Sequence, residues 1–121
     1  MKVIIDLIED IREEIGNQPD FTLHAMLLKE DPKDSARLIN AGESALKRFH
    51  LDDVSRKLMF TIDASDQSID IATLIQHILI LGMDKMMYEV KLEVNHQHQD
   101  VEVIGFGKSM AERKYFFFIK L

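Results

Sequence analysis

The residues predict an α+β domain with an α/β-like N-terminal part. The expected order is α-β-α-β-α-β-β-β: a mixed five-stranded sheet with a C-terminal antiparallel meander and three helices packed on it. Three observations carry this. Apolar residues recur at helical spacing near the N-terminus and again around residues 69–81. Period-two alternation is clear over 87–96, where Tyr88, Val90, Leu92 and Val94 alternate with Glu89, Lys91, Glu93 and Asn95. The C-terminal run Lys114 to Leu121 is apolar on both faces.

Residues 2–15 read as an amphipathic helix. Val3, Ile4, Leu7, Ile8, Ile11 and Ile15 form its stripe, with Gly16-Asn17 as the stop and Pro19 beyond. Residues 21–29 read as an interior strand, because both faces are largely apolar. Asp31-Pro32 reads as a helix start, with proline at the first helical position. That helix runs to about Phe49, on a stripe of Leu38, Ile39, Gly42, Ala45, Leu46 and Phe49. Residues 57–64 are the next strand. Ser68 caps a third helix from about Ile69 to Leu81. The strands over 87–96 and 101–107 form a hairpin that keeps Leu92 and Val94 on the face of Val101 and Val103. The helical crossovers favour parallel pairing among the first three strands. No internal repeat is found.

The chain of 121 residues is read as one domain, 1–121. It holds 21 acids against 15 Lys and Arg, a net charge of −6, which argues against nucleic acid and against an anionic membrane surface. Lys47, Arg48, Arg56 and Lys57 are the local exception, read as a solvated face. With no cysteine, disulfides, zinc thiolates and a cysteine nucleophile are excluded. The longest apolar run, Ile78 to Met83, falls far short of the ~20 residues that span a bilayer. A cytoplasmic location is expected.

Four patterns bear on chemistry. On extended backbone His96, His98 and Asp100 share parity, and two imidazoles with a carboxylate suit a divalent metal. Over five residues this is similar to the His-x-His-x-Asp element of metallo-β-lactamase-type hydrolases. Val101 stands where that element has a further histidine, and the chain is too short for that fold, so membership is rejected. The plainer reading is a polar hairpin tip. Gly107-Lys108-Ser109 matches the tail of a phosphate loop, but Glu102 replaces the required glycine, which leaves a turn. Asp70, Thr73, His77 and Asp84 lie near one line of the third helix, as acid–base groups or as its wet side. Met83, Met86 and Met87 read as core filling. His24 reads as a satisfied core histidine, and His50 as the residue after a helix end.

The leading expectation is a small non-enzymatic protein–protein interaction or regulatory protein, paired with itself as a homodimer or with another protein. Its candidate interface is Tyr115, Phe116, Phe117, Phe118 and Ile119, since a two-faced apolar strand must be covered. No cofactor is expected. The alternative is a small metal-dependent, hydrolase-like enzyme using His96, His98 and Asp100 with a divalent metal.

Overall fold

A computed structural model gives the fold and describes residues 1–16, 20–62, 68–93 and 100–120, with Asp100 by its backbone alone. The described elements are helix α1 (Ile4–Glu14), strands β1 (Thr22–Asp31), β2 (Asp34–Asp52), β3 (Lys57–Ile62) and β4 (Ile69–Asp70), helix α2 (Ile71–Leu79), a 3-10 turn (Met83–Lys85), and strands β5 (Glu89–Glu93), β6 (Asp100–Ser109) and β7 (Lys114–Lys120). They form one seven-stranded mixed sheet in the order β2-β3-β5-β6-β7-β1-β4, and a further β1–β2 pairing closes it into a ring of six strands.

This corrects the predicted architecture. The expected helix over 32–49 is a 19-residue strand, so the described residues hold two α-helices. The Asp31-Pro32 signal belongs to a hairpin turn: Asp31 pairs with Asp34, and its Oδ1 accepts from the Lys33 amide at 2.9 Å. Gly42, expected inside a helix, has φ 151° beside a bulge, and its amide donates to Asn40 Oδ1 at 2.8 Å. Parallel pairing is confined to β3 with β5 and β7 with β1, whereas β1 and β2 are antiparallel. A two-sided strand such as β1 needs two partners, and the hairpin supplies one of them directly. β5 pairs Leu92 with Val101, which sets Lys91 opposite Glu102.

The ring consists of two α-β-β-β units. The helices, the strand pairings and the turns of the first have counterparts in the second. Ile4, Leu7, Ile8 and Ile11 of α1 recur 67 positions later as Ile71, Leu74, Ile75 and Ile78 of α2. At the same spacing, Thr22 pairs with Asp70 as Glu89 pairs with Val3. The Ile71 amide donates to the Phe21 carbonyl at 2.9 Å, and the Ile4 amide to the Tyr88 carbonyl at 3.0 Å. The outer strands match at a spacing of 57. Leu46 pairs with Ile62, then a bulge, then Arg48 with Thr61; Val103 pairs with Ile119, then a bulge, then Gly105 with Phe118. The turns that follow carry Arg56 at φ 57° and Arg113 at φ 54°. Their carbonyls accept from the Glu89 and Thr22 amides at 3.2 and 3.1 Å.

The core lies inside the ring under both helices. Its centre is Phe60 against its counterpart Phe117, edge to face with centroids 4.9 Å apart. The Phe49–Phe60 and Phe106–Phe117 contacts, at 5.6 and 5.5 Å, repeat on either side. Fully burying such side chains contributes roughly 1.5–3 kcal/mol each. No helix among the described residues is long and apolar enough to cross a membrane.

Candidate functional site

The predicted sites fare differently. His96 and His98 lie outside the described residues, and of Asp100 only the backbone pairing with Glu93 is described. Lys108 of the Gly-Lys-Ser segment sits on extended β6, its Nζ 2.7 Å from Glu14 Oε2, so the segment is not a turn and its cation is held by an ion pair. Asp70 caps α2 in place of Ser68, its Oδ1 accepting from the Ala72 amide at 3.0 Å. His77 Nδ1 donates to the Thr73 carbonyl at 2.9 Å. Asp84 sits apart, in the 3-10 turn. These groups do not converge on a reaction centre. His24 is buried, with Nε2 2.8 Å from Thr22 Oγ1. His50 lies on β2 and follows no helix.

The C-terminal strand is paired on both edges, with β6 and with β1. Tyr115, Phe116, Phe117 and Ile119 are buried and Phe118 is partly covered. The apolar run that suggested an interface is largely covered within its own chain, with Phe118 left partly exposed.

A run of exposed apolar side chains lies on the second unit instead. Leu79 is 61% exposed, Ile80 80%, Met83 82% and Met87 71%, while Met86 alone of the three methionines is buried. The core-filling reading of Met83 and Met87 is therefore corrected. The two units provide an internal control. Where α2 presents Leu79, Ile80 and Leu81, the matched positions of α1 are Arg12, Glu13 and Glu14. The fold is thus compatible with charge at these positions, so architecture alone does not require apolar residues there. Residues 71–82 contain no Asp, Glu, Lys or Arg, whereas α1 carries Asp6, Glu9, Asp10, Glu13 and Glu14.

Two hollows flank this ridge. One, of about 300 Å³ between α1 and α2, is lined by Ile5, Ile8, Arg12, Leu79, Met83 and Met86. The other, of about 190 Å³, lies between α2 and the β2–β3 hairpin. Phe49, Leu51 and Leu58 wall it from the strands, and Ile78, Ile80 and Leu81 from the helix. His50 and His77 complete the lining, with the His77 ring edge-on to Phe49 at 5.5 Å.

The second hollow also has a matched place between α1 and the β6–β7 hairpin, where polar contacts bridge helix and strands. There Tyr115, the counterpart of Leu58, donates its hydroxyl to Asp10 Oδ2 at 2.5 Å. Lys108, the counterpart of Leu51, pairs with Glu14 at 2.7 Å. Burial, then the Asp10 contact, pushes the Tyr115 hydroxyl well above the usual phenol range. Between α2 and the β2–β3 hairpin the partners of both contacts are replaced: Asp10 by His77, Tyr115 by Leu58, Glu14 by Leu81 and Lys108 by Leu51.

Among the described residues no group of three or more His, Asp or Glu is placed to hold a metal ion. No family model, no curated protein and no solved structure matches the chain.

Proposed function

We propose that the chain is a non-enzymatic interaction module that pairs with a second copy of itself through α2 and the 3-10 turn. The observation that carries this reading is the exposed ridge Leu79, Ile80 and Met83, set where the other unit bears Arg12, Glu13 and Gly16. Charge supports a second copy as the occupant. At a net charge of −6 two copies repel across most of their surfaces, and the uncharged stretch 71–82 is where they meet without that cost. Shape supports it too. A ridge beside the α1–α2 hollow allows each copy's ridge to enter the other's hollow, the reciprocal contact a two-fold interface requires.

Magnitude sets the expected strength. Three side chains from each copy, at roughly 1.5–3 kcal/mol apiece, outweigh the low end of the ~4–15 kcal/mol that association costs. A weak, concentration-dependent dimer is the outcome expected near that low end. Light scattering over a concentration series is expected to give a dimer that Leu79→Arg with Met83→Gln converts to a monomer of unchanged fold. A wild-type monomer at about 100 μM, or an unaltered dimer in the variant, would overturn the reading.

A further inference from the structure

We infer that the hollow between α2 and the β2–β3 hairpin is a binding site for a small apolar carboxylate. The inference does not rest on the dimer: of the ridge residues only Ile80 also lines this hollow, whereas Leu79 and Met83 line the α1–α2 hollow.

Size excludes the larger ligand classes. At about 190 Å³ the hollow lies below the roughly 300–1,000 Å³ of pockets for drug-sized molecules. It holds one branched or aromatic group. The walls are apolar on both sides: Phe49, Leu51 and Leu58 from the strands, Ile78, Ile80 and Leu81 from the helix.

Polarity then selects the ligand's charge. The ionisable groups in this lining are two imidazoles, with no carboxylate among them. Any charge the lining takes up is positive, so the complementary polar group is an anion. Since His77 Nδ1 donates to the Thr73 carbonyl, Nε2 is the nitrogen left for a ligand, and it donates when the ring is protonated.

At the matched place between α1 and the β6–β7 hairpin, the Tyr115–Asp10 and Lys108–Glu14 contacts bridge helix and strands. The hollow between α2 and the β2–β3 hairpin has neither partner of either contact and carries leucine at three of the four positions: Leu51, Leu58 and Leu81. The fourth is His77.

Nuclear magnetic resonance titration of the full chain tests this, with phenylacetate as probe and phenylacetamide as its neutral isostere. Phenylacetate is expected to shift the Leu51, Ile78 and Ile80 methyls and the His77 ring saturably, with the amide weaker by roughly tenfold. Leu51→Lys with Leu81→Glu installs the counterpart of the Lys108–Glu14 ion pair and is expected to abolish these shifts. Should that pair not fold, His77→Ala, on an exposed helical position, is expected to weaken phenylacetate by a similar factor. Gly-Gly-Phe peptides with free and amidated ends separate the two sources of this chemistry. A free-ended peptide that binds as well as phenylacetate assigns the site to polypeptide C-termini, and a silent one assigns it to a free acid. Equal affinity for acid and amide, unchanged binding in the folded variants, or no saturable shift up to about 10 mM would each overturn the inference.

Discussion

His24 shows what one buried ionisable group does to a small fold. It lies on β1 with Nε2 on the Thr22 hydroxyl at 2.8 Å and its ring 6.0 Å from Phe116. Burial, then the Lys114 ammonium, lowers its pKa, against opposing pulls from Glu43 and Glu112. The folded state therefore binds its proton less readily than the unfolded chain. The stability present above the unfolded value of about 6.5 is lost as pH falls through the folded value. Denaturant unfolding is expected to weaken from pH 7 to 5, with a steeper loss in wild type than in His24→Gln. The difference has a ceiling of about 1.4 kcal/mol per pH unit for one proton. Coincident slopes would mean that His24 is not the group responsible. Its placement was legible in the sequence, because a histidine on a strand with two apolar faces has little choice but to be covered. The exposure of Met83 and Met87 was not, since a methionine cluster reads the same in a core and on a docking face.

At the scale of elements, β2 is the instructive misreading. Leu38, Ile39, Ala45, Leu46 and Phe49 do fall at helical spacing, yet pairing with β1 and then β3 absorbs the segment into the sheet. Local periodicity lost to tertiary pairing. Leu38 is left 38% exposed, so part of the apparent stripe faces no core. The stripes of α1 and α2 and the alternation over β5 were legible because burial there follows the sequence period: Ile4, Leu7, Ile8 and Ile11; Ile71, Leu74 and Ile78; Val90 and Leu92. The glycines of β6 carry a different message. A Cβ at Gly107 would lie 2.4 Å from Phe118 Cζ, so the Phe118 ring occupies the space a side chain would need. In the first unit the matched pair is His50 with Thr61, a large residue at the glycine's place and a small one at the phenylalanine's. Gly107→Ala is therefore expected to cost about 1–2 kcal/mol. Adding Phe118→Thr should recover part of the loss, with a coupling of at least roughly 0.5 kcal/mol in a double-mutant cycle of urea unfolding. Strict additivity would refute the steric account.

For the whole molecule, the paired units were written in the sequence but out of register. Ile4, Leu7, Ile8 and Ile11 recur at a spacing of 67; Phe49, Arg56, Lys57, Phe60 and Ile62 recur as Phe106, Arg113, Lys114, Phe117 and Ile119 at a spacing of 57. No single offset aligns both sets, because the β1–β2 hairpin is ten residues longer than its β5–β6 counterpart: Met26 to Glu43 matches Glu93 to Asp100. Only the paired strands show where the offset changes. This two-unit organisation has a consequence for connectivity. Ile119 stands to Lys2 as Ile62 stands to Ile69, at the matched end of the third strand and the start of the next unit. The link present between the units should therefore be transferable to the other junction. A permuted chain that starts at Ser68, ends at Ile62 and joins Leu121 to Met1 through about three Gly or Ser residues is expected to fold to the same ring. Its amide spectrum should overlay that of the parent for β1, β3, β5 and β7, with stability lowered by no more than roughly 1–2 kcal/mol, since loop-closure entropy changes slowly with length. If permutation abolished the fold for linkers of three to about eight residues, the two junctions would not be equivalent, and the two-unit description would hold for strand pairing alone.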